Sequence, residues 1–548
     1  MITSVKSFTA VATLAAAIGI FSAAQTATAA VITWTGAVDN NWAVDANWNL
    51  NRKPDSGDDV IVNGGTPISA VFGTDSYAIR NLDVSGALHV NESGTLSLVR
   101  NDTSFVTGGE IRVQHTGVFE ISHQGANMFV GHNGRVEIHD NAEFRNTART
   151  GGGVFGNMTL NGLNTRLNIS GTARFNNTGD VIYQRATTNI TGSGKFSNRG
   201  SVAQFLQGNF GGTVNLQDRG LFENGNSALY SNTGGTLNIS GESLFKNTTG
   251  ATFTQTKGMT NITGDGFFDN DTNVNLNGGS LNLSGRGVMS TSLFYTQNGG
   301  SLTVESGGLF INEGGAFTAN LNGGNFTVQL GGAVRNDSTG FGSGGMVNNG
   351  AAVLVEGEGV LSGSGTFIQN SGSTTIDGQM IQTGVTINGG TLGGVGSIRG
   401  NVINTGGTVG PGTSPGTLTL ENNFTQGPGG TVAIEIDSLS AFDILAIEGT
   451  ASLEGTLDLL VDAAYAASAQ DGDFFTIIEW DSFSGAFATV NGLDFGNGMF
   501  FTMDYGAAGL TLTVNSEIVV AASEPGAIAL LGLGIAGIGF ARRRRRRG

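Results

Sequence analysis

The sequence predicts an all-β chain wound as a right-handed parallel β-helix, a solenoid carried between two terminal targeting segments. Three observations support this. Residues 88–361 are self-similar with a period of roughly 20–25 residues, the mark of stacked structural units. Each unit alternates apolar and polar residues, as in Leu237-Asn238-Ile239, which is strand periodicity. The chain of 548 residues holds 91 glycines against 6 prolines, often as Gly-Gly or Gly-x-Gly breaks that permit turns with positive φ.

The chain opens with an export leader, residues 1–30. Lys6 supplies a positive start, residues 8–23 are apolar, and the end is small and polar. Ala27-Thr28-Ala29 fits the small-x-small cleavage pattern, as does Thr28-Ala29-Ala30, so the mature chain is expected to begin at Ala30 or Val31.

Residues 31–70 follow, with Trp34, Trp42 and Trp48 close together. They resemble the Trp-rich lead-in found before autotransporter-type β-helices. Two roles compete for these rings: stacking on sugar, or capping the open end of a helix whose core and strand edge would otherwise be exposed. Capping is the expectation. Asp58 and Asp59 form an acidic pair of the kind that binds calcium, a weak signal when it stands alone.

Residues 71–388 carry the repeats. Leu167-Asn-Ile-Ser-Gly runs to Phe175, and Leu237-Asn-Ile-Ser-Gly runs to Phe245. Leu281-Asn-Leu-Ser-Gly runs likewise to Met289. The anchors are Phe175, Phe196, Phe222, Phe245, Phe268, Met289 and Phe310, with earlier copies at Leu96, Phe119 and Phe144. Stacked at about 4.8 Å, these side chains should line the interior as one column. Asn176, Asn247 and Asn312, which follow the phenylalanines, are expected to form hydrogen-bonded ladders at turns.

From 389 to 452 the texture changes to Gly-Gly-Val-Gly-Ser-Ile and then Pro411-Gly-Thr-Ser-Pro415-Gly. This stretch is similar to the passenger-associated repeat of autotransporter proteins, although no autotransporter barrel follows it. Residues 453–515 are expected to form the last coils and a C-terminal cap.

Residues 516–548 end the chain with Ser523-Glu524-Pro525-Gly526, an apolar run over 527–540, and Arg542, Arg543, Arg544, Arg545, Arg546 and Arg547. As a helix, residues 527–541 span about 22 Å. That is short for a hydrocarbon core of about 30 Å, a gap that tilt, local thinning and snorkelling arginines can close. The arginines should stay in the cytoplasm and stop transfer.

This tail resembles the PEP-CTERM sorting signal of Gram-negative bacteria, whose bearers are processed by exosortases. Members carry Pro-Glu-Pro, a Leu/Gly-rich span and an Arg-rich end; here Ser523 stands at the position of the first proline. The resemblance implies an exosortase-like membrane protease as a transient partner. It also implies an inner-membrane stage before processing, then the cell surface or extracellular space. Association with exopolysaccharide and biofilm material follows from the same likeness, with extracellular polysaccharide as the candidate lasting partner.

Composition narrows the chemistry. There are no cysteines, so disulfides, thiolate nucleophiles and Cys-bound zinc are excluded. The formal charge is −17; losing Lys6 with the leader and six arginines with the tail makes it about −24. Such a chain repels nucleic acid, which is not expected as a partner, and dense polyanions generally without bridging cations. The five histidines, His89, His115, His123, His132 and His139, lie within about 50 residues; they read as surface residues in preference to a metal site.

Asp265, Asp269 and Asp271 are the densest acidic group of the repeats, with no evident Lys or Arg converging on them, and suit turns. The expectation is therefore a non-catalytic surface protein with no cofactor, no metal and no catalytic residues. The alternative is a polysaccharide lyase or hydrolase on a pectate-lyase-like β-helix, which would need clustered carboxylates beside a basic group.

Overall fold

The computed structural model describes residues 29–64, 69–71, 73–100, 102–123, 125–147, 157–178, 181–200, 204–207, 211–248, 250–313, 319–337, 345–413 and 415–516. Their strands join into one continuous sheet, wound as a parallel β-solenoid of about 16 turns.

Each turn of the repeat region contributes strands to three faces. Face 1 begins with Asp59–Val62, Asn81–Val84 and Thr103–Val106. Face 2 begins with Ser69–Val71, Ala87–Val90 and Glu110–Val113. Face 3 begins with Ser76–Ile79, Thr95–Leu98 and Val118–Ile121. Every strand pairs in parallel with its equivalent one turn on, so like positions stack. In several turns the strands of faces 1 and 2 run together, as in Leu229–Ile239 and Thr252–Ile262, with a register shift at the bend between them.

The expected aromatic column is present on the inside of face 3. Register carries it through Leu96, Phe119, Phe144, Phe175, Phe196, Phe222, Phe245, Phe268, Met289 and Phe310. From Phe144 to Phe245 the rings are stacked nearly parallel, with centroids 4.6–5.0 Å apart. A second stack on face 1, Phe205, Tyr230 and Phe253, meets the first edge to face. Alternating stacked and edge contacts suit the ring quadrupoles, each pair adding about 0.5–1.5 kcal/mol beyond burial.

Two residues past the column lies a polar ladder. Asn146, Asn177, Asn198, Asn224, Asn247 and Asn270 are all buried, and each amide Nδ2 donates to the next Oδ1 at 2.8–2.9 Å. Asn270 passes the chain to Thr291 Oγ1, and a second run links Asn312, Asn336 and Gln382. This corrects the expectation for Asn176. Asn247 and Asn312 belong to the ladder, but at inward strand ends rather than in turns; Asn176, immediately after its phenylalanine, points outward and bonds Glu143. Strand alternation decides the matter, because only residues an even number of positions from Phe share its face.

The turn from face 2 to face 3 explains much of the glycine. Its second residue is left-handed, as at Gly285 (φ 62°), and earlier turns place Glu92, His115, Asp140 and Asp218 there at φ 52–61°. Its last position admits no large side chain: a Cβ on Gly287 would lie 2.1 Å from the Ile262 carbonyl oxygen of the turn below.

Both ends are closed. Trp34, Trp42 and Trp48 are buried edge to face against one another, with centroids 4.5–4.9 Å apart, and Trp42 lies 6.0 Å from Tyr77. Tyr77 registers with Leu96, so the cluster covers the N-terminal end of the aromatic column. With their faces buried, these rings do not form a sugar-stacking platform. Asp58 is buried and grips Arg52 through two 2.6 Å hydrogen bonds. Burial pushes the carboxyl up, but the Arg52 bonds and the Asp55 N–H outweigh it and hold Asp58 below its ordinary range.

At the far end the column passes Leu420 and Ile447 to Trp480. There Phe474–Gly485, Gly509–Ser516 and Met499–Tyr505 pair antiparallel, ending the parallel ladder. Just before it, the Pro411–Pro415 loop is tied down by buried Asp443, whose carboxylate accepts from the Gly416 and Glu435 amides at 2.8 and 2.9 Å. Burial pushes that carboxyl up despite these bonds.

Candidate functional surface

Face 2 turns its odd-out residues to solvent. In the repeats Leu-Asn-Ile and Leu-Asn-Leu the two apolar side chains point inward, so the asparagine between them must point outward. Register then places Asn168, Asn189, Asn215, Asn238, Asn261 and Asn282 on six successive turns. Each donates from Nδ2 to the Oδ1 of the turn before at 2.7–3.0 Å, and Asn168 closes the row on Glu137. Beside it runs a row of hydroxyls, Thr187, Thr213 and Thr236, then Ser280 and Ser301 beyond Met259.

A second outward ladder sits on the bend between faces 1 and 2. Asn277, Asn298, Asn322, Asn349, Asn370 and Asn388 are all exposed and linked at 2.8–3.0 Å, ending at Thr405 Oγ1. An asparagine amide has two N–H donors and two acceptor lone pairs. A ladder bond above and one below use half of these. The rest lie on the outer surface at the strand spacing of about 4.8 Å, on half-buried side chains in the first ladder and exposed ones in the second.

The first row is present in the Leu-Asn-Ile and Leu-Asn-Leu segments of the repeats, whereas the sequence expectation puts the ladders after the phenylalanines; the second row lies outside those segments. The usable signal was the polar residue sandwiched between the two inward apolar ones.

The acidic group also differs from expectation. Lys246 Nζ lies 3.0 Å from Asp269 and 3.8 Å from Asp271, and Arg286 lies 2.6 Å from Asp265. Basic partners therefore do converge, each one turn away and invisible in a linear reading. Asp269 lies within the strand Phe267–Asn270 rather than in a turn. The three aspartates are divided between two cations and point outward in separate ion pairs.

His115, His123 and His132 are exposed. His139 is half-buried, with Nδ1 2.6 Å from Ser170 Oγ. His89 lies 3.9 Å from Glu110, and burial pushes its pKa down, aided by Arg112. Among the described residues no three His, Asp or Glu side chains are grouped to hold a metal ion.

Of the targeting residues, Ala29 and Ala30 are described, and the Ala30 carbonyl accepts the Asp59 amide at 2.9 Å. Ala27, Ser523, Glu524, Pro525 and the six arginines lie outside the described residues. No described helix is long and apolar enough to cross a membrane.

The family model of the PEP-CTERM protein-sorting motif matches residues 521–546. The chain carries a PEP-CTERM sorting tail. Ser523, Glu524, Pro525 and Arg542 to Arg546 fall within the matched interval, and Arg547 lies one residue beyond it. The PEP-CTERM motif implies handling by an exosortase in the membrane. The β-solenoid is thus exported, held transiently at the membrane and then released to the surface or beyond. Comparison with curated proteins gives no match.

Proposed function

We propose that this is a non-catalytic structural protein of the cell surface or extracellular matrix of a Gram-negative bacterium, and that it holds exopolysaccharide in biofilm-type material. The two outward asparagine ladders carry the reading. Their half-used amides, with the adjacent hydroxyls, offer a long periodic row of donors and acceptors to the hydroxyls of an extended glycan. Each contact is weak in water. Many on one stiff rod act together, because once the first has formed the others bind at high effective concentration. The stacked core supplies the stiffness.

Export begins with the leader, removed before Ala30. Cleavage there keeps the Ala30 carbonyl that accepts the Asp59 amide, whereas cleavage before Val31 would discard it.

The test is co-sedimentation of the purified mature protein with insoluble exopolysaccharide. Replacing Asn189, Asn238 and Asn282 together by Ala should reduce the bound fraction several-fold without releasing sugar products at any time. Accumulation of unsaturated uronates or new reducing ends, abolished by Asp269→Asn, would replace this reading with a lyase or hydrolase.

A further inference from the structure

Face 2 changes character below the asparagine ladder. The row that carries hydroxyls higher up reads Glu110, Arg135 and Arg166 on three successive turns. Arg135 and Arg166 are exposed and emerge from neighbouring strands, about 4.8 Å apart. Like charges directly opposite on adjacent strands repel.

The nearby carboxylates do not relieve this. Glu110 is held by Arg112 at 2.7 Å. Glu137 accepts from Asn168 at 2.8 Å and lies 3.5 Å from His139. Neither Arg135 nor Arg166 has an ion-pair or side-chain hydrogen-bond partner among the described residues. Elsewhere on the rod Arg80, Arg145, Arg199, Arg286, Arg335 and Arg399 each hold a carboxylate. Arg100 and Arg174 also make no ion pair among the described residues, but neither lies opposite a second unpaired arginine, as Arg135 and Arg166 do. In a chain with 43 acidic and 26 basic residues, two adjacent unmatched arginines stand out.

They also line a groove of about 500 Å³. Its floor is glycine backbone, because a Cβ on Gly109 would lie 2.6 Å from the Gly86 carbonyl oxygen of the turn below. Its rim carries Asn133 and Asn164, linked by a 3.1 Å amide hydrogen bond. Arg166 and Asn168 lie two positions apart on one strand, so the groove opens directly onto the start of the asparagine ladder.

We propose that this groove binds the anionic group, carboxylate or sulfate, of an acidic glycan. The guanidinium fork matches such oxyanions bidentately. The inference rests on the polysaccharide-holding reading above and adds the charge class of the polymer. The negative charge of the whole rod repels a densely charged chain. The fit is therefore to a glycan with sparse anionic groups, one entering the groove while neutral sugars follow the amide row.

The experiment is calorimetric titration of the mature protein with matched pairs of oligomers. One pair is a xylo-oligosaccharide bearing a single glucuronate and its carboxyl-reduced neutral form; the other is a galactan oligomer bearing a single sulfate and its desulfated form. The proteins are wild type, Arg135→Gln/Arg166→Gln, and Arg219→Gln as a control at an exposed, carboxylate-paired arginine. At least one acidic form should bind about tenfold tighter than its neutral counterpart, as expected for charge-assisted hydrogen bonds. That preference should vanish in the double variant, survive in the control and shrink with salt; the pair that shows it identifies carboxylate or sulfate. Equal binding of acidic and neutral forms, or a preference retained by the double variant, overturns the groove alone. No binding of any oligomer overturns the glycan-holding reading with it.

Discussion

Asparagine does two different jobs in this molecule, and the difference is burial. Asn224 sits inside, donating to Asn247 and accepting from Asn198, with no water to replace either bond. Asn238 makes the same pair of bonds outside, where water can substitute. Asn224→Ala should therefore cost roughly 1–3 kcal/mol for each buried group left without a partner. Asn238→Ala should cost about 1 kcal/mol or less. Thermal melts of the two variants check this, and equal losses would deny that the inner ladder is a dry network. The ladder's first member already shows the limit of the device: Asn146 Oδ1 has no donor, because the turn before it carries Ile121 in that place.

At the scale of the element, the unit is one turn, and its length is elastic. From Leu96 to Phe310 successive column residues are separated by 21 to 31 positions, yet register is kept, because the variation is absorbed at the bends. Deleting 23 residues from Phe245 onward joins the chain in phase, so that Phe268 follows Phe222 directly. Such a variant should melt cooperatively near the wild-type temperature, since each turn touches only its neighbours. Deleting 11 residues from the same point brings Thr256, Lys257 and Gly258, from the bend between faces 1 and 2, into the place of Phe245 to Asn247, and should leave a chain that does not fold, as circular dichroism would report.

The repeat and its phenylalanine column were legible in the sequence because period-2 alternation and a fixed anchor survive variation in spacing. What was not legible depends on which strand lies beside which. The partners of Asp265, Asp269 and Asp271 sit 21 to 25 residues away. The buried position of the ladder asparagines turns on counting an even offset from Phe. The unmatched state of Arg135 and Arg166 shows only once Glu110 and Glu137 are seen to be engaged elsewhere.

For the whole molecule, the folded rod and its tail have separate tasks. The core is closed at both ends, by three tryptophans and by antiparallel strands, so the described body needs nothing from either terminal segment to complete it. The PEP-CTERM tail supplies the destination. The most direct measurement is intact-mass analysis of the protein recovered from outside cells that contain an exosortase, for the natural chain and for Glu524→Ala/Pro525→Ala. The account predicts an external product that starts at Ala30 and lacks the arginine run, with the double variant held at the membrane and its arginines intact. External product that still ends in six arginines, or unchanged release of the double variant, would contradict it.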